Sequence, residues 1–212
     1  MRPILIVGGA PRVRVDAVRD LIAQGTGATA VALAQRLAAA GIVPDLLLSD
    51  DAVPGDARRY RDRADLEQAL GDWIAGHRNG VVVLSAAIND YEVATIDRRS
   101  GASWSRMAPS DKFPSGADEV LIRLQPAAKV VDQLRPRWGL SGPIVAFKFE
   151  GRDTVVASAE RLRSRVGAAL VVANSLCGGV QALVTEQGVE ALPDRPALLE
   201  RLAVAVLALA TS

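Results

Sequence analysis

The sequence predicts a three-layer α/β fold with a mainly parallel central sheet, and three observations carry that expectation. Short aliphatic runs such as Ile4 to Val7, Val81 to Ser85 and Ala169 to Ala173 lack the polar alternation of half-exposed strands, as strands covered on both faces do. Helix-length stretches separate these runs, the alternation that builds parallel sheets. Half of the residues are hydrophobic but few are aromatic, so the core is expected to be Ala, Val and Leu packed between helices and strands. At 212 residues the chain suits a single domain, 1–212, around one core.

The elements follow in order. Ile4 to Val7 reads as a short buried strand, and Gly8-Gly9-Ala10 as a turn that brings backbone close to a ligand. Asp16 to Leu21 reads as a short helix or a flap. Thr26 to Ala40, rich in Ala and Leu and stopped by Gly41, reads as a helix. Asp45 to Ser49 is the second strand. Tyr60 to Ala75 is an amphipathic helix with Leu66, Leu70, Trp73 and Ile74 on one face. After the strand Val81 to Ser85, the stretch from Asp90 to Asp118 reads as a long irregular loop, of the kind that is functional or mobile. Glu119 to Leu124 alternates as a strand does, and Ala127 to Leu134 reads as a helix. Pro143 to Phe149 is a strand, Thr154 to Val166 a helix, Ala169 to Ala173 a strand, and Val180 to Thr185 with the helix Ala197 to Leu207 closes the chain.

Composition excludes several classes. With 25 basic and 24 acidic residues there is no basic excess, which argues against nucleic acid as a partner. One cysteine, Cys177, permits no intramolecular disulfide and fits a reducing cytoplasm. With one histidine, His77, no zinc site of His and Cys is expected. Ile4 to Val7 is too short for a signal peptide and Leu202 to Ala210 too short for a membrane span, so no membrane association is expected.

The residues with chemistry to offer sit at strand ends. The small residues Ala86 and Ala87 follow the strand Val81 to Ser85 and let a ligand approach the backbone where open α/β sheets place their sites. Asp90 stands beyond them, either to hold a ribose hydroxyl or a metal, or as a plain turn acid. Gly8-Gly9 lacks the spacing of the dinucleotide fingerprint. Gln24-Gly25-Thr26-Gly27-Ala28-Thr29 opens a helix, either as a phosphate site or as a capped helix start, and with no Lys-Ser/Thr after it is not a P-loop. Lys112, in the long stretch, reads as a triphosphate ligand or as a solvated charge. Lys148 and Glu150 flank Phe149 at a strand end, either near a ligand or facing water. Asn174 ends another strand as a ligand contact or a turn cap. Cys177, with no base near it in sequence, reads as a small packing residue. His77 reads as a helix-end or turn residue. Trp104 and Trp138 cover either a pocket or an interface.

Taken in order, these segments resemble phosphopantothenoylcysteine synthetase, the ligase of coenzyme A biosynthesis. Ala86-Ala-Ile-Asn-Asp-Tyr91 is close to that family's Ala-Ala-Val-Ala-Asp-Tyr signature, the most specific element. Gly8-Gly9-Ala10 through Arg19 is similar to its glycine turn and Pro-Ile-Asp-x-Val-Arg segment with one residue inserted. Thr26-Gly27, Lys112-Phe-Pro-Ser115, Leu124 to Lys129, Ala146-Phe-Lys-Phe-Glu150 and Val172-Ala-Asn174 match further motifs in the family's order. The resemblance implies a Rossmann-like fold and a homodimer that joins phosphopantothenate to cysteine. It implies CTP or ATP as the activating nucleotide and Mg²⁺ with it. It also implies that Gly9, Ala86, Asp90, Lys112, Phe147 and Asn174 line the nucleotide site, with Lys112 at the triphosphate and Asp90 at the nucleoside. Arg19 and Ala87 would border the acyl intermediate.

Three segments depart from the pattern. The family's flap asparagine falls on Ala23, whose methyl cannot make an amide's hydrogen bonds, although a one-residue shift puts Gln24 there. The basic residues after the loop glycine are Ala28 and Thr29, and the Pro-Ile-Asp turn is Val13-Arg-Val-Asp16. The expectation is therefore a nucleotide-dependent carboxylate–amine ligase with an altered flap. The alternatives are a divergent member acting on another acid and a catalytically silent nucleotide-binding protein.

Overall fold

The computed structural model describes residues 1–108 and 110–212. An eight-stranded sheet forms its centre, in the order β13-β12-β11-β10-β6-β1-β4-β5. The strands are β1 (Ile4–Gly8), β4 (Asp45–Ser49), β5 (Arg58–Tyr60), β6 (Val81–Leu84), β10 (Ile144–Glu150), β11 (Leu170–Ser175), β12 (Gln181–Thr185) and β13 (Gly188–Ala191). From β11 to β5 all neighbours run parallel, and β12 and β13 add an antiparallel hairpin at one edge. Helices α1 (Ala28–Ala39) and α5 (Arg195–Thr211) cover one face. Helices α2 (Arg63–Gly76), α3 (Val130–Gln133) and α4 (Val155–Val166) cover the other.

Successive strand residues serve the two layers in turn. Ile4 and Ile6 pack with Leu33 and Leu37 of α1, whereas Leu5 and Val7 pack with Leu66 and Leu70 of α2. Val81 and Val83 join the first group, Val82 and Leu84 the second. Each strand side chain thus meets a helix, which explains the unbroken aliphatic runs. No helix among the described residues is long and apolar enough to cross a membrane.

Several elements differ from the sequence reading. The stretch from Asp90 to Asp118 is not an irregular loop: it contains β7 (Tyr91–Ser100) and β8 (Ser103–Arg106), which with β9 (Glu119–Pro126) form a separate antiparallel sheet. Pro109, within that stretch, lies outside the described residues. Asp16 to Leu21 is neither helix nor simple flap, because β2 (Val13–Arg14) and β3 (Asp20–Leu21) pair as a small hairpin. The helix expected from Ala127 shrinks to the four residues of α3, since β9 runs on to Pro126 and the Ala127 N–H then donates to Asp90 O at 2.8 Å. Tyr60 belongs to β5 rather than to α2, whose N-cap is Asp62. The short polar strands β5 and β13 had no signal in the sequence.

Val15, Ile96 and Met107 form a small second core, with Val93, Phe113 and Ile122 against it, under the three-stranded sheet. Asp16 fastens this unit together. Its buried carboxylate accepts the N–H of Phe113 at 2.9 Å and the N–H groups of Val18 and Arg19, and pairs with the Arg19 guanidinium at 2.5 Å. Burial alone would raise this carboxyl, but those donors outweigh it and bring it down to about 2.

Candidate functional site

The strand order fixes where a site can form. From β1 the chain runs to β4 and β5 on one side, then returns to place β6 on the other side of β1. The crevice at the carboxyl ends of β1 and β6 is therefore a topological switch point. There the structure has a cleft of about 730 Å³, within the size range of small-molecule sites.

Its floor is a convergence of backbone. Gly9 turns out of β1 with φ +89°, a conformation that favours glycine. The turn is held from beneath. Ser49 Oγ accepts the Ala10 N–H at 3.0 Å, and the buried Tyr60 hydroxyl donates to Gly8 O at 2.8 Å. Burial pushes the Tyr60 phenol up, so it remains a donor. On the other side the Ala87 N–H donates to Gly9 O at 2.8 Å, tying the segment after β6 to the same turn. Gly25 closes the group: a methyl there would lie 2.6 Å from Gly9 O and 2.8 Å from Ala87 Cβ.

The walls gather many of the residues singled out from sequence. Gly9, Ala86, Ala87, Asp90, Phe147 and Asn174 all line the cleft, as do Ala23, Gln24 and the turn from Gly25 to Thr29. That turn enters α1 through Gly27, at φ 72° and without a capping side chain, and the Ala28 N–H makes only a long hydrogen bond, 3.4 Å, to Thr26 Oγ1. Asn174 is 9% exposed, and its Oδ1 has no hydrogen-bond partner. Gln181, its neighbour across β11 and β12, also lines the cleft with an unpartnered Oε1.

Arg19 and Lys112 do not line the cleft. Arg19 is paired with Asp16 and stacks over the Phe113 ring at 4.7 Å, and Lys112 is exposed on the adjoining segment. The two stand near each other through the Asp16 clip.

The cationic side chains in the lining are instead Lys129, Lys148, Arg165 and Arg195. Lys129 pairs with Asp90, Lys148 with Glu150 at 2.6 Å and Arg165 with Asp132, while Arg195 donates to Thr29 Oγ1. The Lys148 ammonium holds the Glu150 carboxyl below its usual range. Sequence reasoning missed Arg165 and Arg195, which reach the cleft from helices and belong to no local motif. With Lys129, Lys148 and Arg165 each paired to a carboxylate, Arg195 leaves the cleft a net positive charge suited to an anion. No cluster of three metal-ligating side chains occurs among the described residues.

The remaining candidates lie elsewhere. Cys177 is exposed rather than a packing residue. Contact with Ser175 Oγ, the Gly179 N–H and the nearby Arg152 lower its thiol below the ordinary range. His77 is the C-cap residue of α2, stacked on Trp73. Trp138 packs against Gly71 of α2, and Trp104 is exposed on β8.

Comparison with known proteins agrees with this architecture. The model of the DNA/pantothenate metabolism flavoprotein C-terminal domain matches residues 1–194. The chain is 27% identical over 180 residues to the coenzyme A biosynthesis bifunctional protein CoaBC of Thermococcus kodakarensis, covering 82% of this chain and 41% of that protein. The chain therefore spans less than half the length of this curated relative. Its fold is that of the DNA/pantothenate metabolism flavoprotein from Streptococcus pneumoniae, with a TM-score of 0.81 at 18% identity over 98% of this chain and 97% of the other. It also matches a Cab2 mutant in complex with phosphopantothenate-cysteine, with a TM-score of 0.76 at 16% identity over 98% and 85% of the two chains. The parallel sheet with its switch-point cleft is thus the Rossmann-like fold of these proteins, and the chain belongs to the DNA/pantothenate metabolism flavoprotein C-terminal domain family, that of phosphopantothenoylcysteine synthetase.

Proposed function

We propose that the chain is a nucleotide-dependent carboxylate–amine ligase that joins 4′-phosphopantothenate to cysteine. The observation that carries this reading is the switch-point cleft, where Gly9, Ala86, Ala87, Asp90, Phe147 and Asn174 meet four cationic side chains. In the reaction, the acid's carboxylate oxygen attacks the α-phosphorus of CTP or ATP. A mixed acyl-phosphate anhydride forms and pyrophosphate leaves. The cysteine amine then attacks the acyl carbon, the amide forms with loss of a proton, and the nucleoside monophosphate departs. Neither step needs a protein nucleophile. Both need charge on phosphate oxygens stabilised by fixed cations and backbone N–H groups, which the lining and the start of α1 supply.

Asp90 is assigned to the nucleoside end with Phe147 and Asn174, and Ala87 to the acyl group. Arg19 and Lys112 are assigned to the acyl intermediate and the triphosphate through movement of the Asp16-held segment or from a second subunit. A resident magnesium does not fit the lining, because its one carboxylate, Asp90, is already paired with Lys129. Mg²⁺ is accordingly taken as part of the nucleotide substrate, bound to its phosphates. The homodimer is supported by Tyr91, Trp104, Leu121 and Leu124, all exposed on the three-stranded sheet.

A second reading, a family member acting on a different acid, draws support from Ala23, which lines the cleft without an amide. Gln24 lines it too and can supply that amide, which favours the first reading. Pyrophosphate release separates the possibilities. The first reading expects release with CTP or ATP, Mg²⁺ and phosphopantothenate, and an amide product once cysteine is added. Release only with another carboxylic acid identifies the divergent member. Nucleotide binding without release on any acid identifies a silent binding protein and overturns the ligase assignment.

A further inference from the structure

Lys112 lies outside the cleft lining, so the structure raises the question of which side chain meets an anion bound there. Three of the four lining cations are neutralised, Lys129 by Asp90, Lys148 by Glu150 and Arg165 by Asp132. Among the described residues Arg195 is the one lining cation with no carboxylate within ion-pair distance. Its position is set by α5, a 17-residue helix of which it is the first residue. Asp194 caps that helix by accepting the Ala197 N–H at 2.8 Å, and Pro196 follows with its fixed φ.

From there the guanidinium donates to Thr29 Oγ1, in the first turn of α1. That turn, Ala28 to Val31, has no charged side chain of its own, and Gly27 offers no side-chain cap. A cation contributed by α5 therefore stands beside the positive end of the α1 dipole. Thr29 accepts from Arg195 and keeps its hydroxyl proton for a ligand. Asn174 is a second observation in this cleft: the residue lines it and is nine-tenths buried, and its amide oxygen has no hydrogen-bond partner.

We propose that Arg195 is an anion-binding residue of the cleft and receives the phosphate groups of the ligand together with Thr29 and the start of α1. The assignment rests on the nucleotide reading above only for the identity of that ligand. A planar guanidinium engages phosphate oxygens through two parallel N–H donors, and one already oriented by Thr29 has less freedom to lose on doing so.

Titration calorimetry tests this with CTP, ATP and inorganic triphosphate, and with cytidine and adenosine as uncharged counterparts. The full chain is compared with Arg195→Ala and Arg195→Lys, each checked for an unchanged melting temperature. Arg195→Ala is expected to weaken all three triphosphates roughly ten- to a hundred-fold, the loss that accompanies removal of hydrogen bonds to a charged group. Nucleoside affinity stays constant, and the salt dependence of triphosphate binding becomes shallower. Arg195→Lys recovers part of the affinity. Thr29→Val, which keeps the charge but removes its anchor, gives a smaller loss in the same direction and serves if Arg195→Ala does not fold. Triphosphates bound by Arg195→Ala as tightly as by the native chain would overturn the proposal, as would an equal loss for the nucleosides. Arg195-dependent binding of inorganic triphosphate with no gain from a nucleoside leaves the anion site standing and removes the nucleotide reading. Failure of the native chain to bind any of the three removes both.

Discussion

Asp16 shows how much one side chain can organise. Its carboxylate joins the small hairpin to the Lys112 segment through the Phe113 N–H, and it holds Arg19. Its folded pKa is lowered from 3.8 to about 2, so its stabilising effect is complete above the usual carboxylate value and is lost as pH falls towards about 2. Amide exchange at Phe113 is expected to accelerate between those two values in the native chain. In Asp16→Asn it should be fast already at neutral pH, and equal protection in the two proteins would show that the clip does not depend on the carboxylate. Gly25 is the second such residue. Gly25→Ala forces a methyl against Gly9 O and Ala87 Cβ, at a cost of about 1–3 kcal/mol typical of overpacking. Both a lower melting temperature and weaker nucleotide binding are expected, because the displaced atoms belong to the cleft floor. Asp90 and Asn174 were legible from sequence because each follows a recognisable aliphatic strand, whereas Phe147, in the middle of β10, was legible only through the family resemblance. Arg195 was not, since an arginine at a helix start has the same local appearance whether it meets solvent or a ligand.

At the scale of elements, legibility followed burial. Strands β1, β4, β6, β10 and β11 and helices α2 and α4 announced themselves because their side chains face two layers or one continuous stripe. The β7–β8 hairpin did not. The pairing of β7 with β9 shifts register between Val93 and Thr95, so Val93 and Ile96, three residues apart, both pack on the small core. A bulge of this kind destroys the period of two on which strand recognition depends. Strand β8 is exposed throughout, which leaves no apolar pattern at all. Helix α2 offers a test of local encoding. Asp62 caps it by accepting the Asp65 N–H at 3.1 Å, and Asp62→Ala is expected to cost about 1 kcal/mol. In a chain of this size that corresponds to a fall of roughly 2–4 °C in melting temperature. No change would mean that packing of Leu66, Leu70 and Ile74 alone sets the start of the helix.

For the whole molecule, topology decides where chemistry is possible. Because β6 returns to the far side of β1, the carboxyl ends of β1, β6, β10 and β11 open on one crevice, and loops far apart in sequence meet there. The separate three-stranded sheet stands outside this arrangement with large apolar side chains exposed, and a homodimer formed through it is the expected state in solution. Light scattering should give twice the chain mass, and Leu124→Glu should shift it to the monomer. A monomeric native chain would rule out a homodimer through this sheet. For the crevice itself the decisive measurement is a crystal structure of the chain with CTP or ATP and Mg²⁺. The nucleotide is expected in the switch-point cleft, with the base near Phe147 and Asn174, the phosphates at Arg195 and the start of α1, and Gln24 rather than Ala23 facing the α-phosphate. A nucleotide bound outside that cleft, or lying in it with its phosphates turned away from α1, would contradict this placement.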